Sequence, residues 1–392
     1  MAPIDVVIAG GGVAAVEAAL ALRDLAGDRV AVTLASPRPD FVLTPMAVAE
    51  PFAAGHVERR PLRSLAEQVG FAVVAAGVAR VRPEEQVVEL SDGSERCYDA
   101  LLLAPGAQPV AAFPHVHTFL AEGDPSALSG LVADLEEGWS RSVAFVVPPG
   151  VTWPLPAYEL ALMTAGEVRS MGLDGVTIQV VTPEQRPLEV FGDEASDAVG
   201  RLLEAGGVAF VGGVEPRAGD GGRIVLGPGD RPLEAERVVA LPVLEGRGVP
   251  GVPRDERGFI PIDEYGRVQG MRNVYAAGDA TAFPIKQGGI ATQQADAAAE
   301  RIAADAGAPI TPRPFRPVLR GRLMTGAVEQ YLRAGAAVDR GRARASVEPL
   351  WWPPTKIAGR YLGPWLSERE PRTPDAPAGR TIDVEVILDP RG

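Results

Sequence analysis

Residues 4–25 read IDVVIAGGGVAAVEAALALRDL. Residues 4–8 are an almost continuous apolar run, which is typical of a parallel strand buried on both faces. Gly10, Gly11 and Gly12 follow at once, and the pattern predicts an alanine-rich helix from Val13 to about Leu25. A strand, a glycine turn and a helix together can hold a pyrophosphate, because unpaired amides and the helix dipole favour an anion at the helix start.

The glycine spacing fits a dinucleotide-binding turn. Gly10 permits the tight turn, Gly12 lets phosphates approach the backbone, and Ala15 takes the place of the third small residue in G-x-G-x-x-G/A. The alternative is a glycine turn that only links a strand to a helix. The strand before the turn and the helix after it favour a dinucleotide site.

Length and composition limit the classes of protein. A chain of 392 residues is longer than one core usually supports, so we expect two or three domains. No stretch reaches the roughly 18 apolar residues that span a bilayer, and no basic segment precedes the first strand as in a signal peptide. These features predict a cytoplasmic enzyme.

The charge is acidic overall but basic near the C-terminus. A net charge of −13 argues against nucleic acid as a partner. Residues 311–366, however, hold nine arginines and Lys356 against three carboxylates. This part of the chain either meets something anionic or docks on the acidic remainder.

The chain has one cysteine, Cys97, which excludes an intramolecular disulfide, a CxxC pair and a cysteine-built metal site. Its strand-like surroundings next to Tyr98 favour a small buried hydrophobe. His56, His115 and His117 show no grouping with acids, and the latter two read as loop residues. No metal site is predicted.

The first domain continues with a second strand over residues 29–34. Its end, where a dinucleotide site usually places Asp or Glu, carries Ser36, a weaker partner for a ribose. A helix near residues 61–69 and strands over 71–75 and 77–81 follow. Residues 86–90 and 95–97 flank a Ser-Asp-Gly-Ser turn and predict an antiparallel meander. A strand over 100–104 then leads out of the domain.

Residues 110–242 repeat the βαβ pattern, with strands over 143–147, 177–181 and 208–211 and helices over 156–168 and 195–205. The turn over residues 148–156, PPGVTWPLP, carries four prolines and Trp153 instead of a glycine fingerprint. Few amides are free in such a turn, so a second dinucleotide site is not expected there.

The chain then returns to the first domain through a strand over 273–277 and a helix over 288–304. We therefore predict an α/β fold with two Rossmann-like three-layer domains, the first discontinuous and containing the meander, plus a small C-terminal module. The predicted domains are residues 1–109 with 243–309, residues 110–242, and residues 310–392, the last with a strand-like close at 382–388.

Three motifs carry a resemblance to a known superfamily: GGGVAAVEA at 10–18, YDALLLAPGAQP at 98–109 and NVYAAGDATAFPIKQGG at 273–289. In this order they resemble the flavoproteins with two dinucleotide-binding domains, the pyridine nucleotide–disulfide oxidoreductase superfamily. The sulfide:quinone reductase-like branch is the most similar, because the third motif continues there as AFPIKQGGIATQQADAAAERIA and its second domain has a PAYE-type turn. The resemblance spans residues 4 to about 366 and implies FAD as cofactor.

The resemblance also implies site residues. Gly10, Gly12 and Ala15 would cradle the pyrophosphate, Ser36 would face the adenosine ribose, and Asp279 would bond the ribityl or phosphate region. The complete set of implied cofactor-binding residues is Gly10, Gly12, Ala15, Ser36, Pro37, Pro45, Val78, Ala104, Pro105, Gly106, Gly278, Asp279, Lys286, Gln287 and Gly288.

Lys286 is also a candidate catalytic residue on physical grounds. Reduction places negative charge near N1 and the C2 carbonyl of a flavin, where a lysine and a helix start near Gly288 would stabilise it. Lys286 and Lys356 are the only lysines beside 36 arginines. The alternative is a solvated surface lysine.

This sequence differs from the sulfide:quinone reductase-like branch at several positions. Its redox cysteines are missing, so sulfide oxidation through a persulfide is not expected and disulfide chemistry is excluded. Glu159 is a candidate for proton transfer or substrate orientation, or else a carboxylate stabilised by its helix dipole. Trp153 either stacks on flavin or substrate or, as we favour, fills space.

Residues 346–366 are rich in aromatics, with Ile357, Tyr361 and Trp365 at helical spacing beside basic residues. They suit peripheral membrane contact, an oligomer surface or a lid on the flavin pocket.

The sequence thus predicts an FAD-dependent oxidoreductase that passes electrons from a small-molecule donor through the flavin to a small acceptor, with a quinone as candidate. One alternative is an NAD(P)H:quinone or NAD(P)H:acceptor reductase, and another is a flavin-binding protein without turnover.

Overall fold

The computed structural model describes residues 2–326, 330–334 and 344–367. The strands are β1 (Ile4–Ala9), β2 (Val30–Ala35), β3 (Asp40–Val42), β4 (Arg59–Pro61), β5 (Ala72–Val74), β6 (Val78–Arg82), β7 (Val87–Leu90), β8 (Glu95–Cys97), β9 (Ala100–Leu103), β10 (Ala107–Val110), β11 (His117–Thr118), β12 (Ser142–Val146), β13 (Thr177–Val181), β14 (Val208–Val211), β15 (Glu215–Ala218), β16 (Ile224–Gly227), β17 (Arg231–Pro232), β18 (Arg237–Ala240), β19 (Val243–Gly246), β20 (Val274–Ala276), β21 (Leu319–Leu323), β22 (Gln330–Ala334) and β23 (Arg344–Ser346). The helices are α1 (Val13–Ala26), α2 (Leu62–Val69), α3 (Ser126–Glu136), α4 (Leu155–Ser170), α5 (Asp193–Gly206), α6 (Gly288–Asp305) and α7 (Leu362–Ser367).

The first sheet is parallel throughout and has the strand order β5-β2-β1-β9-β20. Its central strand β1 is the apolar run of the opening motif, and Val6 and Ile8 are fully buried. Helices α1 and α6 pack against each other through their alanines, whose small side chains allow close approach. The predicted strand–turn–helix is confirmed.

The second sheet is also parallel, with the order β14-β13-β12-β18-β11. Helix α4 packs on β12 and β13, and α5 packs on β14. Two parallel α/β sheets of this kind confirm the predicted fold class of two Rossmann-like domains.

The two chain segments that connect the domains pair with each other. Strand β10 pairs antiparallel with β19, so that Ala107 lies opposite Gly246 and Val110 lies opposite Val243. This pairing supports the division at residues 109–110 and 242–243, which we retain as a proposal.

Three three-stranded antiparallel sheets and the two-stranded pair β3-β4 complete the described chain. The meander β6-β7-β8 was predicted from its turn, whereas β15-β16-β17 and β21-β22-β23 were not. Their segments are short, and several contain glycine, proline or arginine, so they hold few apolar residues, although Leu319–Leu323 alternates between buried and half-buried residues. The predicted strand at 382–388 lies outside the described residues.

Two smaller expectations are wrong. Cys97 is exposed at the end of β8 rather than buried, because that edge strand of the meander turns all its residues to solvent. His117 lies in β11 rather than in a loop. Within residues 2–326, 330–334 and 344–367, none of the helices has the length and apolar content needed to cross a membrane.

The C-terminal segment over residues 344–367 contacts both domains, and its end docks on the first domain. The buried Glu17 of α1 accepts hydrogen bonds from the backbone amides of Tyr361 (2.9 Å) and Leu362 (2.6 Å) at the start of α7. The Arg60 guanidinium lies 4.4 Å from the centroid of the Trp365 ring. Docking on the body of the protein is therefore the interpretation that the described residues support for this basic segment.

Candidate functional site

The glycine turn after β1 has two distinct kinds of glycine. Gly10 has φ of +145°, and a Cβ there would lie 2.1 Å from the Ala104 carbonyl oxygen at the end of β9. Gly12 precedes α1 in an extended conformation, and a Cβ there would meet no atom within 4 Å. Gly10 is thus required by the protein itself, whereas Gly12 borders open space in which a phosphate fits. Ala15 is fully buried behind the turn.

Ser36 lies at the end of β2, beside this turn. Its hydroxyl donates to the Arg38 carbonyl oxygen (2.8 Å) and accepts from the Arg38 amide (3.2 Å), and only 2% of the residue is exposed. A Cβ on Gly11 would lie 2.5 Å from the Ser36 Oγ. The hydroxyl therefore closes the local turn, and its contact with a ribose stays a prediction.

The remaining residues predicted for the adenosine half lie around the ends of β2, β6 and β9. Pro37 lies within 4 Å of the Cβ position of Gly77, next to the half-buried Val78. Pro105 and Gly106 follow β9, and Gly106 has φ of +71°.

An open cleft of about 820 Å³ lies where both domains and the C-terminal segment meet. It brings together seven predicted site residues: Pro45, Trp153, Glu159, Asp279, Lys286, Gln287 and Gly288. Ten further lining residues were not predicted, among them Phe119, Arg322, Lys356 and Ile357. The C-terminal segment therefore forms part of the wall of this cleft, which we call the flavin cleft.

Lys286 lies between the flavin cleft and a neighbouring cleft. Its Nζ donates to the Thr281 carbonyl oxygen and lies 3.6 Å from the centroid of the Phe259 ring. Burial lowers the pKa of Lys286 to about 8, and the nearby Asp279 carboxylate opposes this change. Lys286 is therefore held by contacts within the protein, and its role at a flavin stays a prediction.

Asp279 follows Gly278 in the turn after β20. Gly278 has φ of +77°, and a Cβ there would lie 3.1 Å from the Ala14 Cβ of α1. The Asp279 carboxylate lines the flavin cleft, and no group among the described residues donates a hydrogen bond to it. Burial raises the pKa of Asp279, and Lys286 opposes this. Such a carboxylate can accept hydrogen bonds from a ligand's hydroxyl groups.

Gln287 and Gly288 form the start of α6. The Gln287 side chain accepts from the Ile290 amide (2.8 Å) as an N-cap and donates to the Arg320 carbonyl oxygen (2.9 Å). A Cβ on Gly288 would lie 3.0 Å from the Ile357 side chain. The helix start is therefore packed against the C-terminal segment on the floor of the cleft.

Glu159 is paired with a residue that the sequence analysis did not assign to the site. Its Oε1 accepts from the Lys356 Nζ and from the Met324 amide (2.9 Å). The Lys356 Nζ also donates to the Arg322 carbonyl oxygen (2.6 Å), and the side chains of Glu159 and Lys356 are 1% and 5% exposed. Burial raises the pKa of Glu159, and Lys356 opposes that rise. The rarity of lysine in this chain was the signal that could have identified Lys356.

Trp153 separates the two clefts. Its ring packs edge-on against Phe191, with centroids 5.5 Å apart, and the neighbouring Thr152 donates to the Pro284 carbonyl oxygen (2.6 Å). The indole lines both clefts and packs against the second-domain core.

The turn before α4 offers little to a second dinucleotide. Pro154 and Pro156 have no amide hydrogen, and the Ala157 amide already donates to the Pro154 carbonyl oxygen (3.0 Å). Glu184, after the next strand, accepts from the buried Tyr158 hydroxyl (2.6 Å), and burial raises the pKa of Glu184 to about 7. The turn before α4 and the carboxylate after the next strand are the two places that usually bind a dinucleotide. Here both make contacts within the protein instead.

The fold and the site together define a flavoprotein with two dinucleotide-binding domains. The fold contributes two parallel α/β domains, the first of which has an open glycine turn, and the site contributes a cleft with Asp279 and Lys286. The chain belongs to the pyridine nucleotide-disulphide oxidoreductase family, which matches residues 4–299. FAD is accordingly its cofactor. The space at Gly12 and the unpartnered Asp279 carboxylate fit that group.

Relatives and solved structures agree with this family. An NADH dehydrogenase-like protein of Mycobacterium tuberculosis is 30% identical over 242 residues, which are 57% of this chain and 58% of the relative. Rhodocoxin reductase of Rhodococcus erythropolis is 26% identical over 303 residues, covering 72% of this chain and 66% of the relative. The chain thus spans about three-fifths to two-thirds of the length of these relatives. The structure of sulfide:quinone oxidoreductase from Aquifex aeolicus superposes with a TM-score of 0.77 at 22% identity, covering 86% and 85% of the two chains.

Proposed function

We propose that the protein is an FAD-dependent oxidoreductase that passes electrons through the flavin to a small acceptor of the quinone kind, without a cysteine disulfide. The observation that carries the proposal is the flavin cleft, where two lysines and two carboxylates meet and no thiol lies among the described lining residues. The quinone is supported by the sequence resemblance to the sulfide:quinone reductase-like branch.

The residues of the glycine turn and of the flavin cleft would hold the cofactor. Gly10 and Gly12 shape the turn that would take the pyrophosphate, and the Asp279 carboxylate would bond the ribityl or phosphate region of the cofactor. FAD supplies the two-electron chemistry when it is bound. Lys286 would provide a cation at the pyrimidine edge, where negative charge accumulates on reduction.

Glu159 and Lys356 would hold a proton close to the reacting atoms. Their buried pair lines the flavin cleft, and the raised pKa of Glu159 brings its titration nearer to neutral pH. We assign Glu159 as the candidate proton donor or acceptor and Lys356 as the residue that positions it. Trp153 fills the space between the two clefts.

An NAD(P)H:acceptor reductase is the second candidate. The name of the M. tuberculosis relative favours it. The proline-rich turn before α4 and the use of Glu184 by Tyr158 oppose it, because both remove groups that a dinucleotide needs. Anaerobic addition of NADH or NADPH separates the two: we expect the flavin absorbance to persist, and prompt bleaching would favour the second candidate.

The proposal is tested with protein reduced by dithionite under anaerobic conditions. We expect decylubiquinone to restore the oxidised flavin spectrum, and Cys97→Ser to do so at the wild-type rate because Cys97 lies exposed on β8. No reoxidation by any quinone offered would indicate a flavin-binding protein without turnover. A large loss of rate in Cys97→Ser would contradict the chemistry without a thiol.

A further inference from the structure

A second cleft adjoins the flavin cleft and shares Trp153 and Lys286 with it. Its volume, measured to the open mouth, is about 710 Å³. The walls are apolar and include Phe119, Val151, Trp153, Leu241 and Leu244. An apolar ligand body of modest size would be removed from water here.

Two cations lie at one end of this apolar cleft. The Arg257 Cζ lies 5.4 Å from the centroid of the Phe259 ring, and the Lys286 Nζ lies 3.6 Å from it. The two charges therefore share one aromatic ring, and Arg257 contributes to the lowered pKa of Lys286. Both cations line the cleft, so an anionic group bound there would lie near two positive charges.

The charges of Asp279 and Asp255 partly offset that of Lys286, but neither carboxylate lines the second cleft. Among the described residues, no Asp or Glu lines the second cleft, and neither Arg257 nor Lys286 forms a salt bridge. The Asp255 carboxylate accepts from the amides of Arg257 (3.0 Å) and Phe259 (2.8 Å). Asp279 lines the flavin cleft and not the second one.

The surroundings also limit the size of the ligand. The turn over residues 148–156 borders the cleft and carries prolines where a dinucleotide would need free amides. A ligand with one anionic group and a compact apolar body satisfies the two cations and the apolar walls without such a cradle.

We propose that the second cleft binds a small organic carboxylate with an aromatic or aliphatic body, its carboxylate at Arg257 and Lys286 and its body against Trp153 and Leu241. The site lies next to the proposed flavin position, so its occupant is placed to meet the cofactor. The inference rests on the proposed function only for that last step, because binding itself requires no turnover.

Calorimetric titration of the FAD-loaded protein tests the proposal, with benzoate, phenylacetate and 3-phenylpropionate as probes. Each probe is paired with its neutral amide, and acetate serves as an anion without a body. We expect at least one carboxylate to bind at least tenfold more tightly than its amide and than acetate. Binding of none of the three below 10 mM, or equal binding of carboxylates and amides, would overturn the proposal.

Arg257→Gln and Arg254→Gln form a matched pair of variants. Arg254 is exposed nearby but does not line the cleft, so its variant should bind the probes like the wild type. Arg257→Gln should weaken binding at least fivefold while retaining FAD and its wild-type visible spectrum. Equal weakening in both variants, or in neither, would contradict the assigned contact.

The pH dependence of probe affinity can be measured without any turnover. The charged groups that act on Lys286 are Asp279, Asp255 and Arg257, and its pKa of about 8 means that the cation is lost as pH rises above that value. Probe affinity should therefore fall severalfold between pH 7 and pH 9.5 in the wild type and stay level in Lys286→Met. Failure of quinone reduction with these binding results intact would reject the proposed function but not this site.

Discussion

The two lysines of this chain are both used in the flavin cleft, although arginine outnumbers lysine by 36 to 2. Lysine presents a compact charge whose pKa moves when it is buried, whereas arginine stays protonated and needs room for its planar fork. Lys286 acts at the cleft wall, and Lys356 reaches the carboxylate of Glu159. The choice of residue thus follows from the chemistry expected at each position.

Replacing Lys286 by Met should lower the midpoint potential of the bound flavin. Removing the cation takes away stabilisation of the negative charge gained on reduction, and a charge-assisted contact of about 1.5–3 kcal/mol corresponds to a drop of about 30–60 mV for a two-electron couple. A dye-coupled reductive titration measures it, with Lys286→Arg as the control that retains a charge. An unchanged potential in Lys286→Met would remove Lys286 from the assigned role.

Replacing Lys356 by Met should destabilise the protein by about 3 kcal/mol, because it leaves the Glu159 carboxylate buried without its ion-pair partner. The pKa of Glu159 should rise further, which would shift the pH profile of flavin reduction to higher pH. Urea unfolding measures the first effect and rapid mixing across pH measures the second. The double variant Glu159→Gln with Lys356→Met should recover part of the stability. Full stability in the single variant would mean that the pair contributes nothing.

Helix α7 is attached to the first domain through a buried carboxyl pair. Glu17 on α1 accepts both amides at the start of α7, and Asp296 on α6 lies beside it. Burial and the charge of Glu17 raise the pKa of Asp296 to about 9, with Glu300 adding to this rise and Arg360 opposing it. At neutral pH the pair therefore keeps a proton on Asp296, which avoids two adjacent negative charges.

Stability should depend on this proton. An unfolded Asp titrates near a pKa of about 3.9, so between about pH 4 and 9 the folded protein binds one more proton than the unfolded chain, and stability falls as pH rises. The slope of roughly 1.4 kcal/mol per pH unit predicts a loss of about 2 kcal/mol from pH 7 to 9. Urea unfolding at both values, with Asp296→Asn alongside, measures it. An equally steep fall in Asp296→Asn would place the titration elsewhere.

The elements that the sequence predicted well are those whose signal is local. Strand β1 and helices α1 and α6 have continuous apolar or alanine-rich runs, and the meander has a recognisable turn. The sheet β21-β22-β23 was not predicted, because its short strands lie in a basic segment with few apolar residues. The exposure of Cys97 likewise depends on which strand forms the edge of the meander, which local sequence does not encode.

The flavin cleft is assembled from parts far apart in the chain. Pro45 comes from the first domain, Glu159 from the second, and Lys356 from the C-terminal segment. Motif spacing could indicate Asp279 and Lys286, because they lie within one continuous stretch. The Glu159–Lys356 pair joins residues 197 positions apart, and only the folded chain brings them together.

At the scale of the whole molecule, binding of FAD should depend on the glycine turn at Gly10 and Gly12. Gly12→Ala is the most direct probe, because its Cβ would meet no protein atom within 4 Å and its backbone suits alanine, so the apoprotein should fold normally. The added methyl group would occupy the space assigned to the pyrophosphate. Gly10→Ala differs, since its Cβ would lie 2.1 Å from the Ala104 carbonyl oxygen and should disturb folding itself.

The decisive measurement is the FAD affinity of the apoproteins, followed by flavin fluorescence, with circular dichroism as the check on folding. We expect wild type to bind one FAD per chain and Gly12→Ala to bind at least tenfold more weakly with an unchanged circular dichroism spectrum. Wild-type affinity in a correctly folded Gly12→Ala would contradict the placement of the pyrophosphate at this turn.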